Sequence, residues 1–276
     1  MKNLHCLGTG MGMGMTEAEQ IPLIAESGFE AFFTGWSTKS NLKAIKKLGD
    51  SCGLIYQSVH APFTQVHHLW EEGTRGEEVC DELIRCIHET AEVNVPIVII
   101  HPIIGMDRHN PYLIGLERYA DIVRAAEDSG IKVAFENVEG IEYLISLRDA
   151  LASSDAVGFC WDTGHEMCYN SSMDVPALFN GKLICTHIND NMRQTDPAKL
   201  TWLDDSHLLP FDGRADWQGI ADRLDRENFR GIMTYEVTTK SKPERNTHAI
   251  YSNLSPLEFM KLAYEKALKL DSMRKL

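Results

Sequence analysis

The chain has 276 residues, 43% hydrophobic and 24% charged, with 20 Gly and 10 Pro, a globular composition that excludes disordered, collagen-like and coiled-coil classes. Lys and Arg number 27 against 40 Asp and Glu, a net charge of -13, so the average surface repels nucleic-acid backbones and anionic membranes. The seven cysteines include no CxxC pair and read as reduced thiols. The opening MKNLHCLGTGMGMGM lacks the basic-then-apolar pattern of a secretion leader, and no apolar run approaches the roughly 18 residues of a membrane span. A cytoplasmic location is expected.

Short β-branched or aromatic runs alternate with amphipathic stretches, the rhythm of a parallel sheet covered by helices. Strands are expected at Asn3 to Leu7, Phe29 to Thr34, Leu54 to Val59, Ile97 to Ile100, Lys132 to Phe135, Gly158 to Trp161, Leu183 to Ile188 and Gly231 to Val237. Thr16 through Glu19 opens the first helix with a capping-box pattern, and Ser27-Gly28 closes it. Further helices are expected at Glu77 to Val93 and Pro256 to Leu270. Pro96 through Pro102 is a continuous apolar run bounded by prolines, as in a strand buried on both faces. Only the connection from Asn189 to Ala215 is much longer than usual. With no linker or change in composition, residues 1–276 read as one domain, an eight-stranded α/β barrel.

Residues able to bind a cation stand where the apolar runs end. They are His60, His101 and Glu136, then Asp162 and His165 in Trp161-Asp-Thr-Gly-His, His187, Asp205 and His207 in Asp-Ser-His, and Glu236. In a closed parallel barrel these strand ends converge on one mouth. A single His or Glu after a strand is as readily a loop residue or helix cap. Six strand ends finishing this way form a cluster whose carboxylates repel unless protons or cations compensate, and a metal is the simplest compensation.

The order His60-Ala-Pro-Phe, His101-Pro, Glu136-Asn, Trp161-Asp-Thr-Gly-His165, His187-Ile-Asn-Asp, Asp205-x-His207 followed by Gly213 to Trp217, and Tyr235-Glu236 resembles the xylose isomerase-like barrel superfamily. That group of (β/α)8 TIM barrels holds sugar and sugar-phosphate isomerases and epimerases, inositol-catabolic enzymes and endonuclease IV-type abasic-site nucleases. The resemblance implies a central metal site of Glu136, Asp162, His187 and Glu236. Its mostly oxygen donor set suits one Mn²⁺ or Mg²⁺, with Zn²⁺ or Co²⁺ also accommodated. It further implies that Glu136 and Glu236 are the proton acceptor and donor. His165 and Arg193 would hydrogen-bond substrate oxygens, and His60, His101 and His207 would also meet the substrate.

The leading expectation is therefore a metal-dependent sugar, sugar-phosphate or polyol isomerase or epimerase working through an enediolate. The acidic charge supports it, as do Phe32, Trp36, Phe63, Trp70 and Trp161, aromatic residues expected near the mouth to pack on a sugar. The alternative is a zinc-dependent phosphodiesterase for abasic DNA, because His60, His101, His165, Asp205 and His207 would complete a nine-ligand, three-zinc set. That reading needs a cationic rim, whereas basic loop residues are sparse: Lys39, Lys43, Arg75, Arg108, Arg193 and Arg214, then Lys240, Lys242 and Arg245. Arg214 and the Lys240 to Arg245 group are where a substrate phosphate would bind. The partner expected is a small sugar or sugar phosphate, not a membrane or nucleic acid, with self-association into a homo-oligomer left open. A third reading, a barrel that has lost catalysis and serves as a binding protein, sits poorly with retention of both glutamates.

Overall fold

The computed structural model describes residues 3–107, 110–151, 153–171, 173–179 and 181–275. Eight strands alternate with eight helices among them. The strands are β1 (His5–Gly8), β2 (Ala31–Gly35), β3 (Ile55–His60), β4 (Ile97–Ile100), β5 (Lys132–Glu136), β6 (Val157–Asp162), β7 (Leu183–His187) and β8 (Met233–Tyr235). The helices are α1 (Glu17–Ser27), α2 (Leu42–Ser51), α3 (Thr74–Glu92), α4 (Leu113–Ser129), α5 (Ile141–Leu151), α6 (Thr163–Cys168), α7 (Trp217–Arg226) and α8 (Pro256–Met273).

All pairings are parallel, in the order β7-β6-β5-β4-β3-β2-β1-β8. A bridge between Ile188 and Tyr235 brings the ends together, with Ile188 N donating to Thr234 O at 2.8 Å. The result is a nearly closed (β/α)8 TIM barrel. No described helix is long and apolar enough to cross a membrane, and all seven cysteines are free thiols.

Local chemistry sets the element ends. Thr16 and Glu19 form the expected capping box on α1, and Gly28 ends the helix at φ 108°, a left-handed conformation that suits glycine. A Cβ there would also stand 2.7 Å from the Tyr264 ring of α8. Ser255 and Glu258 cap α8 in the same way. α3 begins three residues before the expected Glu77, and α8 runs past Leu270 to Met273. β8 is shorter than the expected Gly231 to Val237, although Glu236 N still donates to Ile188 O at 3.3 Å just beyond it.

Small side chains fill the interior. Ile99, Ala134, Cys160 and Cys185 form one buried group, and Cys6, Ala31 and Phe33 another, packing that makes the barrel a solid floor rather than a pore. The larger apolar residues lie between strands and helices. The long connection after β7 is also anchored. Asp190 and Leu208 exchange backbone hydrogen bonds of 2.9 Å, and the Asp190 carboxylate accepts from Gly213 N, Ala215 N and the Trp217 indole. Gly213 is needed there, since a Cβ would lie 2.3 Å from Asp190 Oδ1. Asp216 then caps α7.

Candidate metal centre at the barrel mouth

Glu136, Asp162 and His187 end their strands, His60 ends β3, and His101 and Glu236 follow β4 and β8 directly. His165 lies in the first turn of α6, while Asp205 and His207 come from the anchored connection. The structure brings all nine to one mouth. Glu136 is fully buried at its floor, with Oε1 3.0 Å from His187 Nδ1 and Oε2 3.4 and 3.3 Å from the Nε2 atoms of His60 and His101. Glu236 Oε2 approaches the same His187 Nδ1 at 3.3 Å. Across the mouth, Asp205 Oδ2 is 3.0 Å from His207 Nε2 and 3.6 Å from His165 Nε2.

Asp-Thr-Gly-His after β6 is a positioning device. Asp162 caps α6, with Oδ1 accepting from His165 N at 2.6 Å, and its Oδ2 accepts from Asn189 Nδ2 at 2.9 Å. Thr163 exchanges hydrogen bonds with the Asn189 backbone. Gly164 lets that asparagine close in, for a Cβ would stand 1.9 Å from Asn189 Oδ1. From β5, Asn137 holds both ends of the same turn: its amide contacts Asp162 N and O at 2.8 and 2.9 Å, and its carbonyl accepts from His165 Nδ1.

The imidazole orientations bear directly on cation binding. Nδ1 of His60, His165 and His207 donates to the carbonyls of Ala61, Asn137 and Glu236 at 2.8, 2.9 and 3.0 Å. A carbonyl only accepts, so in the neutral ring Nε2 carries the lone pair and turns it into the mouth, the arrangement that prepares histidine as a ligand. Each of these Nε2 atoms faces a carboxylate oxygen, and two acceptors sit together only across a proton or a cation.

The electrostatics agree. Burial works against charge on His187, yet Glu136 and Glu236 push it up to about 10, and Asp205 and its neighbours take His207 to about 9. Glu136 and Asp205 stay well below the usual carboxylate range despite burial, because the surrounding imidazoles outweigh it. Asp162, where burial dominates, rises to about 6. Buried Glu136 Oε2, His187 Nε2 and Asp205 Oδ1 take no hydrogen-bond partner. This donor set wants positive charge and fits a divalent cation. Ligand atoms of His60, His101 and Glu136, of His60, His187 and Glu236, and of Asp162, His165 and His207 lie within 4.8 Å of one another in each trio.

Other expected residues lie elsewhere. Arg193 is exposed at φ 69°, its guanidinium 3.5 Å from Arg214 O in a cleft beside Thr163 and α7, away from the mouth. Of the five aromatics, Trp36 and Phe63 line the mouth. Phe32 instead stacks on Tyr56 in the outer core, Trp161 points to Glu166 and Arg223, and Trp70 lines a neighbouring cavity. Strand alternation explains Phe32 and Trp161, since residues adjacent to inward-facing ones point outward, whereas Trp70 lies in the short helical turn Val66–Trp70 after β3. Phe33, not singled out from sequence, is inward and stacks on His187 at 5.1 Å. Also unforeseen were Asn137, Asn189 and Asp190, although all three stand inside the motifs already quoted. Of the basic residues expected in loops, Lys43 and Arg75 lie instead in α2 and α3; Lys43, Arg75, Lys242 and Arg245 pair with Glu92, Glu78, Asp205 and Asp204, and Arg108 lies outside the described residues.

An uncharacterized protein of Sinorhizobium fredii, y4fM, is 27% identical over 86% of this chain and 88% of its own length. Another uncharacterized protein, MJ1311 of Methanocaldococcus jannaschii, is 24% identical over 77% and 76%. Among solved structures, the IolI protein with a bound zinc atom superposes with a TM-score of 0.80 at 16% identity, covering 98% of each chain. D-psicose 3-epimerase of Clostridium cellulolyticum, solved with D-tagatose, gives 0.76 at 12% identity, covering 97% of this chain and 99% of its own. At such identities these structures speak for the fold alone. The xylose isomerase-like TIM barrel profile matches residues 21–254, most of the chain and all nine candidate ligands, and the protein belongs to that family.

Proposed function

We propose that the protein is a divalent-metal-dependent isomerase or epimerase of a sugar or polyol ketone, working by glutamate-mediated proton transfer through an enediolate. The observation that carries this reading is the pair Glu136 and Glu236, both facing His187 Nδ1, at 3.0 and 3.3 Å. Glu136, Asp162, His187 and Glu236 would hold the cation. When bound, a divalent cation supplies positive charge beside the substrate's carbonyl and hydroxyl oxygens.

The chain's own groups do the rest. Glu236, its side chain 29% exposed, lines both cavities of the mouth and is the carboxylate that reaches the proton on the carbon next to the carbonyl. Glu136, closed off at the floor, is its partner in the two-carboxylate exchange. His165 and His207, each fixed through Nδ1, orient substrate hydroxyls through Nε2, while Trp36 and Phe63 cover its C–H faces. Cytoplasmic residence and a substrate phosphate are not needed for this chemistry.

A zinc-dependent abasic-site phosphodiesterase is the second reading, favoured by the convergence of all nine candidate ligands. The pairing of Lys43, Arg75, Lys242 and Arg245 with carboxylates weighs against it, since a DNA rim needs uncompensated positive charge. The deciding experiment is metal analysis after dialysis, with assays on ketoses, inososes and an abasic oligonucleotide. One retained divalent ion and ketose turnover are expected; about three zinc ions with salt-sensitive DNA cleavage would favour the nuclease.

A further inference from the structure

The two cavities of the mouth are small, about 260 Å³ on the β1–β3 side and about 330 Å³ on the side of His101, His165 and Asp205. Beside them, between the loops that follow β3 and β4, lies a third of about 930 Å³, near the upper end of what small-molecule sites occupy. It shares Ile104 and Met106 with the second cavity and Thr64 with the first. These residues border both, so the large cavity adjoins the mouth.

The floor of that cavity is preformed. Trp70, Ile103 and Tyr143 are buried, the Trp70 indole donates to Pro102 O at 2.7 Å, and its ring packs 4.8 Å from Tyr143. Gly115 makes room for that indole, since a Cβ would stand 2.1 Å from it. The rim is apolar and open: Tyr112 is 54% and Leu113 69% exposed, an expense in water that large apolar side chains at a binding site repay. Among the described lining residues the charged ones are Glu71, Glu72 and Asp107, with no Lys or Arg, and these carboxylates disfavour an anionic ligand.

We propose that this cavity is the outer half of the substrate site and holds an uncharged apolar group, aromatic or alkyl, attached to the sugar or polyol away from its reacting carbon. This rests on the mouth being the sugar site. It replaces the free or phosphorylated ketose as preferred substrate with a neutral conjugate.

The test is calorimetric binding of methyl and 4-nitrophenyl β-D-glucopyranosides to the Mn²⁺-loaded protein, repeated with a Tyr112→Ser/Leu113→Ser variant. Both substituted residues are exposed, so the fold is spared. The nitrophenyl glycoside is expected to bind roughly tenfold or more tightly than the methyl glycoside, and the variant to bring the ratio near one without weakening the methyl glycoside. Equal affinities, no binding of the nitrophenyl compound, or a ratio unchanged in the variant overturns the proposal. So does sedimentation showing a dimer that the variant splits, for the patch would then be a face between two copies of the chain. A protein that prefers the nitrophenyl glycoside but whose ketose turnover survives Glu236→Gln keeps this inference and loses the proton-transfer reading instead.

Discussion

The β1–β3 side of the mouth is walled by Gly8, Gly10 and Gly35 with the rings of Phe33, Trp36 and Phe63, whereas the opposite side presents His101, Glu139, His165, Tyr169, Asp205, His207 and Lys242. His60, Phe63 and Glu236 belong to both. One half supplies shape and aromatic surface, and the other supplies charge and hydrogen bonds. On the proposed reading, proton transfer and cation binding would depend on side chains fixed by amides and backbone carbonyls, while the glycine-rich half would decide what fits beside them. Substitutions on the two sides should therefore fail in different ways.

The largest effect is expected at the shared boundary. Glu236→Gln should lower turnover roughly a hundredfold to ten-thousandfold with an unchanged circular dichroism spectrum, and near-normal turnover would remove it from the chemistry. Next, on the polar side, Asp162→Asn and His187→Ala should show first as lost metal, because metal retention depends on deprotonated ligands held in place. Asn137→Ala, which frees Asp162 and His165 without removing a ligand, should weaken metal binding about tenfold to a hundredfold. Full metal content in all three variants would place the centre elsewhere.

Smaller effects test the shaping side and the supports. Gly164→Ala drives a methyl group into Asn189 and should cost about 1–3 kcal/mol of stability, read as a lower Tm. Phe63→Ala should raise KM several-fold, on the order of 1 kcal/mol of lost aromatic contact, with kcat nearly unchanged; an equal fall in kcat would assign Phe63 to the reacting geometry. Arg193→Ala, outside the mouth, should change either constant by less than about twofold.

The barrel was legible because the strands are short, mostly apolar runs separated by helical stretches, and β4, bounded by Pro96 and Pro102, falls at the residues expected from the sequence, Ile97–Ile100. Capping fixed both ends of α1 equally well. Other features depend on contacts that spacing does not carry. A continuous apolar run such as Ala31-Phe-Phe gives no parity, so Phe32 and Phe33 could not be told apart until the pairing of β2 with its neighbours turned one inward. Arg193, expected to reach the substrate, stands in a separate cleft beside α7, a placement that sequence spacing does not carry. The 930 Å³ cavity is made by two loops some 40 residues apart, counted roughly from Thr64 to Met106, and no local pattern announces it.

The most direct test of metal-dependent proton transfer is deuterium uptake from D₂O at the carbon beside the carbonyl, followed by NMR across a panel of ketoses and inososes. The metal-loaded protein is predicted to incorporate deuterium into at least one of them, and a chelator or Glu236→Gln to abolish the uptake. Uptake that persists both in the chelated protein and in Glu236→Gln, or its absence from every ketone beside metal-dependent cleavage of an abasic oligonucleotide, would contradict the account.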